Sequence, residues 1–389
     1  MGLLPIANEL WLDIDYEEEV FPLHLRICRN CGLGQVEDVV SPERLFSDYR
    51  YLSSTSSLFS EHAKLFAQSV LKSGLIKEGD WVLEIASNDG YLLKHFVESK
   101  ISVLGIEPAE NISLVSERLG IPTLNTFFSS QTSKQILEER GYPKLIIANN
   151  VLAHVPDIQD FLLGIATLCG DETQISIENP SLLNILYLSQ FDTIYHEHYS
   201  YLSVNSVHRL SSNFGLELFN VEEIDTHGGS NRYWLRRQKE VREIPSVIEG
   251  LMQSELSQGL LSQPHWDQCA YNVEKILIEL NEWLGSCSRG GRKVCGYGAA
   301  AKASTLLNAA KIERGWLEFI ADGSIEKQGR RMPIKGFPIV SPTEMLESNP
   351  TDVLIFPWNI SSEIASLIRE ISPKSIRIWQ AVPSLREME

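Results

Sequence analysis

The chain has 389 residues, 43% of them hydrophobic, and a formal net charge of −17. That length calls for two or three domains rather than one core, and that charge excludes a general nucleic-acid binder, which needs a basic face. No apolar run is long enough to cross a bilayer and the N-terminus carries no basic-then-apolar signal, so no membrane partner is expected and the location expected is cytoplasmic.

In chain order, residues 1–60 read as irregular, broken by Pro5, Pro22 and Pro42. Six cysteines over this length form no disulfide framework. Cys28 and Cys31 make a CxxC, half of a tetrahedral zinc set, with His24 as a conceivable third ligand. A helical pattern follows over 58–74 (Leu58, His62, Leu65, Phe66, Val70). Strands are expected near 81–86, 102–107, 144–149 and 173–178, and helices near 90–99, 111–119, 130–140 and 157–168. That alternation predicts a parallel sheet with helices on both faces. Residues 180–215, rich in Tyr, His and Ser, read as an insert after a late strand. Residues 243–285 read as helical, and Ser288-Arg289-Gly290-Gly291-Arg292 marks a boundary. A second Rossmann-like α/β unit is then expected. Its strand 293–298 enters a Gly-rich turn, a helix covers 299–310, and further strands lie at 317–322, 353–357 and 376–379. The expected division is 1–57, 58–242 and 243–389.

Four constellations carry chemistry. The first is the turn from Glu84 through Ala86, Ser87 and Asn88 to Gly90, at the end of an apolar strand. Glycine and Asn tolerate the positive φ that such a turn needs. Glu107-Pro108 closes the next strand with an acid suited to ribose hydroxyls, and Asn149-Asn150 ends the third. Together they describe a nucleoside-cofactor site. The second is Tyr195-His196-Glu197-His198-Tyr199. His-x-His could be a metal pair, and His with Glu could be an acid–base dyad. The third is Thr226-His227-Gly228-Gly229-Ser230-Asn231-Arg232, where exposed backbone N–H groups and a guanidinium suit a phosphate or carboxylate. The fourth is Gly296-Tyr297-Gly298 with Lys302, which suits an anion at a helix start.

The 84–90 turn resembles the first motif of class I S-adenosylmethionine-dependent methyltransferases, with Ala86, Asn88 and Gly90 where glycines are usual. The whole chain resembles the nucleotide-sugar C-methyltransferases of deoxysugar pathways. The likeness runs through Pro5-Ile6-Ala7-Asn8, Cys28 to Leu33, Tyr49 to Ser54, Glu84 to Gly90, Asn149 to Val155, Tyr195 to Tyr199, His227 to Ser230, and Gly296 to Gly298 with Lys302. It implies a small zinc module, a class I methyltransferase sheet and a C-terminal Rossmann-like domain. It also implies S-adenosylmethionine as methyl donor and a thymidine-diphosphate (TDP) deoxysugar as acceptor, methylated beside a ketone. His198 would be the base, with Tyr49, His154, Tyr195 and Glu197 lining the same pocket. Family members carry an earlier CxxC ahead of the Pro-x-Ala-Asn stretch that is not in this sequence, which leaves zinc open. Two other functions fit the motifs: a class I methyltransferase acting on another metabolite, and an NAD-dependent enzyme using the C-terminal Gly-rich turn.

Overall fold

A computed structural model describes residues 2–12, 19–37, 40–46, 52–239, 243–313, 315–333, 336–372 and 375–388, the side chain of His227 excepted. The chain divides into a central unit, Ile27–Ser181 with Tyr199–Leu261, and a terminal unit, Met1–Arg26 with Leu182–His198 and Ser262–Glu389. None of the described helices is long and apolar enough to cross a membrane.

The central unit is built on seven strands: β1 (Trp81–Ile85), β2 (Ser102–Ile106), β3 (Thr123–Leu124), β4 (Leu145–Asn149), β5 (Gln174–Pro180), β6 (Leu216–Ile224) and β7 (Ser230–Arg237). Their order across the sheet is β6-β7-β5-β4-β1-β2-β3. Only β7 runs against its neighbours. The central strands are buried on both faces, which is why they read as unbroken apolar runs such as Trp81–Ile85. Helix Ser57–Lys72 buries Ala63, Phe66, Ala67 and Val70 against Val82, Leu145 and Ile147. On the other face, Phe161, Ile165 and Leu168 of helix Ile158–Leu168 join Leu83, Ile146 and Ile175.

The 58–74, 111–119, 130–140 and 157–168 expectations match helices Ser57–Lys72, Glu110–Arg118, Ser130–Arg140 and Ile158–Leu168. The helix expected from 90 begins only at Leu93, because Gly90 still holds the turn at φ +78°. The antiparallel pair β6–β7 was not foreseen; the sequence suggested only a turn around 226–232.

The terminal unit carries β8 (Val294–Tyr297), β9 (Ile320–Ala321), β10 (Ile339–Val340), β11 (Asp352–Ile355), β12 (Arg377–Gln380) and β13 (Arg386–Glu387). The order is β10-β9-β8-β11-β12-β13, parallel except for the last pair. This is a second Rossmann-like sheet. Its core gathers Leu306 and Leu307 of helix Ala301–Ala310 with Leu280 and Leu284 of helix Gln263–Arg289.

Candidate active site

In the central unit, β1 delivers Glu84 into a turn where Ala86, Asn88 and Gly90 stand at φ +55°, +49° and +78°. Two left-handed non-glycine residues so close together cost about 1 kcal/mol each, and such strain collects at ligand sites. The Ser87 N–H donates to Ile106 O at 3.0 Å, tying the turn to β2. Glu107 accepts from the Asn88 N–H and the Ala109 N–H, each at 3.0 Å. The Asn125 amide donates to the carbonyls of Glu107 and Pro108 at 2.9 and 3.0 Å. Glycine is required at Gly105 on β2, where a Cβ would meet Oγ and Cβ of Ser87 and stand 3.3 Å from Thr123 Oγ1. Gly105→Ala is expected to weaken S-adenosylhomocysteine binding at least tenfold and to destabilise the protein by about 1–3 kcal/mol. Calorimetric titration and a denaturant melt check both numbers.

Three carboxyl groups meet here. Glu84 is pushed well above the usual carboxylate range by burial and by the negative charges of Asp89 and Glu107. Burial also lifts Glu107 to about 7. Asp89, 2% exposed, was not singled out from the sequence, although it stands in the Asn-Asp-Gly of the turn. Its Oδ2 accepts the Ser54 N–H at 3.2 Å, and Asn88 Oδ1 accepts the Ser53 N–H at 2.9 Å. Among the described residues, Glu84 Oε2, Ser87 Oγ, Asp89 Oδ1, Asn149 Oδ1, Asn150 Oδ1 and both amide atoms of Asn179 are buried without a hydrogen-bond partner. Folded proteins rarely leave such groups unpaired. Their gathering at the carboxyl ends of β1, β4 and β5 fits a ligand that brings an ammonium, a sulfonium and ribose hydroxyls.

In the terminal unit, Leu182–His198 carries the aromatic-acidic run. His198 is 8% exposed, and its Nε2 lies 3.0 Å from Tyr195 Oη, with the rings 4.2 Å apart. Glu197 Oε1 accepts the Asn8 N–H at 3.0 Å, and burial raises its carboxyl to about 7. His196 Nε2 sits 3.2 Å from the Pro22 carbonyl. His196 and His198 thus bond to different partners and do not converge as a metal pair. Upstream, Asp192 is fully buried and accepts from Trp358 Nε1 at 2.8 Å. Lys302, 9% exposed, sits 5.5 Å over the Trp358 ring. Burial depresses Lys302, while the Asp192 charge opposes that.

The other expected residues fall as follows. His154 ends the 3-10 turn after β4 and meets Phe46 edge-on at 5.5 Å. Tyr49 lies outside the described residues. Gly228 and Gly229 adopt φ +85° and +105°. The Gly229 N–H donates within its turn to Thr226 O, and Ser230 Oγ does the same. Arg232 is held by Glu178 at 2.9 Å and Glu222 at 3.0 Å, so its charge is already matched. Cys28 and Cys31 form a tight turn in which backbone N–H groups of Cys31 and Asn30 lower the Cys28 thiol. No third His, Cys, Asp or Glu joins them among the described residues, so these residues do not complete a zinc site.

The chain matches family models along almost its whole length. Residues 57–221 match a methyltransferase domain, 225–383 a C-methyltransferase C-terminal domain, and 1–46 a model described as "Putative zinc binding domain". C-methyltransferase NovU of Streptomyces niveus is 30% identical over 387 residues, covering 99% of this chain and 92% of the relative. The chain belongs to this C-methyltransferase family. Solved structures with partial likeness include the magnesium protoporphyrin IX methyltransferase ChlM of Synechocystis PCC 6803 with bound SAH. It is 12% identical, with a TM-score of 0.37 over 50% of this chain and 91% of that one. A second is a SAM-dependent methyltransferase of Anabaena variabilis, 11% identical, with a TM-score of 0.37 over 45% of this chain and 84% of that one.

The C-methyltransferase is thus an S-adenosylmethionine-dependent enzyme acting on a small metabolite. We propose that Glu107, at the end of β2, meets the ribose hydroxyls of the cofactor and that Asp89, in the turn after β1, faces its positive charge. A carboxylate accepts two hydroxyls, whereas its protonated form loses an acceptor. Glu107 titrates near 7 in the free protein, so cofactor affinity should rise with pH through that value. Affinity for S-adenosylhomocysteine is expected to increase about tenfold from pH 6 to 8, and Glu107→Gln should flatten the profile. A flat profile in the unaltered enzyme removes Glu107 from the ribose.

Proposed function

We propose that this enzyme methylates a carbon beside a ketone of a TDP-linked deoxysugar, through an enolate, with His198 as base. The observation that supports it most is the Tyr195–His198 pair, a buried imidazole with a phenol 3.0 Å from its Nε2. Carbon is a poor nucleophile until it loses a proton, and a neighbouring carbonyl makes that loss feasible by taking up the charge. The chemistry needs a general base and a donor for the developing oxyanion. His198 serves as the first and Tyr195 as the second, with His154 and Tyr49 as further donors and Glu197 to orient them. The bound cofactor supplies an electrophilic methyl on sulfur. Asn149 and Asn150 would stand beside that group, and Glu84, Ala86, Ser87, Asn88 and Gly90 would hold its amino-acid end. The backbone of the His227–Ser230 turn would receive the diphosphate. Arg232 and Lys302, each facing a carboxylate, bring less free charge to it than their residue types suggest.

A labelled methyl donor offered with a panel of TDP-linked keto-deoxyhexoses tests this reading. Label should appear on carbon next to the carbonyl, located by NMR of the product. Label on oxygen or nitrogen would replace the enolate reading with another class I methyl transfer.

A further inference from the structure

A row of polar side chains crosses the central sheet at the carboxyl ends of its middle strands. Asn149 on β4 lies opposite Glu178 on β5, Glu178 opposite Arg232 on β7, and Arg232 opposite Glu222 on β6. Opposed residues share a face. Leu145 and Ile147, at two-residue spacing from Asn149, put that face under helix Ser57–Lys72. The helix contributes His62, one turn before Phe66.

Glu178 is 1% exposed and heavily engaged. Its oxygens stand 2.9 and 3.0 Å from His62 Nε2, and they accept from Arg232 Nη2 at 2.9 Å and Thr226 Oγ1 at 3.2 Å. Burial alone would raise Glu178, but His62 and Arg232 outweigh it and hold the group below the usual range. Paired with the Arg232 guanidinium, Glu178 is a carboxylate, and a carboxylate only accepts. With Nε2 donating to Glu178 at 2.9 Å, the proton of a neutral His62 ring sits on Nε2, the Arg232 Nη2 group 3.3 Å away makes no hydrogen bond to it, and Nδ1 carries the lone pair. Nδ1 has no hydrogen-bond partner among the described residues, and the side chain is 21% exposed. A carboxylate holding one imidazole nitrogen and leaving the other open is the arrangement of a general base.

Packing alone does not call for this cluster. The helix is already seated by Ala63, Phe66, Ala67 and Val70, and buried ion clusters stabilise little more than apolar groups of the same volume. The unpartnered Oδ1 of Asn149 flanks Glu178 across the strands. In open α/β sheets this end is where ligands bind.

We propose that His62 is a further acid–base residue of the methyl-transfer site, with Nδ1 as its working atom and Glu178 orienting it. Only the identity of the acceptor rests on the function proposed above. Methyl transfer to carbon breaks a C–H and an S–CH3 bond and forms a C–C bond; sulfur leaves as a neutral thioether, and one proton must reach water. His62 Nδ1 takes that proton on its way out, becomes an imidazolium beside Glu178, and gives it to solvent at its exposed edge.

Two measurements test this. Diethylpyrocarbonate, which adds to an unprotonated imidazole nitrogen, should label His62 in the free enzyme, and saturating S-adenosylhomocysteine should protect it, read peptide by peptide. Labelling that is undiminished by the ligand overturns the proposal. His62→Gln keeps an N–H for Glu178 and loses the base. Its kcat with a TDP-linked keto-deoxyhexose should fall at least about 30-fold, with S-adenosylhomocysteine affinity within twofold. A kcat within twofold of the unaltered enzyme reduces His62 to a staple. An unaltered enzyme that methylates no member of the sugar panel defeats the acceptor reading alone, and the labelling result then decides His62.

Discussion

His198→Ala should bind S-adenosylmethionine with unchanged affinity and lose about 10²- to 10⁴-fold in methyl transfer, the span that a general base contributes. Cofactor affinity should hold because His198 is assigned to the acceptor and the substitution alters none of the residues assigned to the cofactor. The variant separates two steps. In heavy water without methyl donor, the unaltered enzyme should exchange the proton beside the ketone for deuterium, and the variant should not. Tyr195→Phe should behave differently. It removes the hydroxyl at Nε2 and an oxyanion donor but leaves the imidazole, so exchange should slow by about tenfold to 10²-fold without vanishing. The pattern to be observed is exchange lost in one variant and slowed in the other. If His198→Ala exchanges at the unaltered rate, the base lies elsewhere, and His62 becomes the first residue to examine.

Local chemistry made the turn after β1 legible. An apolar strand, small residues and an acid on the following strand are each written in a few consecutive residues, and the Asn88 N–H indeed bonds Glu107. The β6–β7 pair was illegible for a physical reason. Its charges satisfy one another across the strands, Glu222 with Arg232 and Glu217 with Arg236. The paired charges break up the apolar pattern of both strands, so Arg232 looked like a free anion ligand. Lys302 is a similar case. Following a Gly-rich turn, it reads as an exposed phosphate hook, yet the helix it begins buries it over Trp358 near Asp192, which lies more than a hundred positions earlier. His62 drew attention only as one member of a helical stripe. Its partner Glu178 is 116 residues away, and nothing in a single sequence announces that pairing.

Asp352→Ala should destabilise the terminal unit by about 3 kcal/mol while leaving S-adenosylhomocysteine binding intact. Asp352 opens β11 and is fully buried. Its carboxylate accepts from Arg292 Nε at 2.9 Å and a second Arg292 nitrogen, from Trp379 Nε1 at 2.9 Å and from Thr351 Oγ1 at 2.7 Å. Arg377 Nη2 adds a contact at 3.2 Å. Removing the acid strands the Arg292 guanidinium, which lies 5.9 Å from both the Trp283 and Trp379 ring centres. Breaking a buried pair typically costs about 3–5 kcal/mol. The lower end applies because Arg377 is 45% exposed and can return to water. Asp352→Asn keeps the shape and one acceptor, so it should cost about half as much. The sign with pH follows from the same contacts. Burial would raise Asp352, but Arg292, Thr351 and Trp379 outweigh it and hold the group below its ordinary value. A depressed acid stabilises above its unfolded pKa of about 4 and loses that contribution as pH falls through its folded value. The gap between unaltered protein and Asp352→Ala should therefore be full at pH 7 and shrink below pH 4. Trp283 and Trp379, 4.8 Å apart, report it by fluorescence in a denaturant titration. A gap that stays constant from pH 7 down through pH 3 would show that the carboxylate charge contributes nothing to this fold.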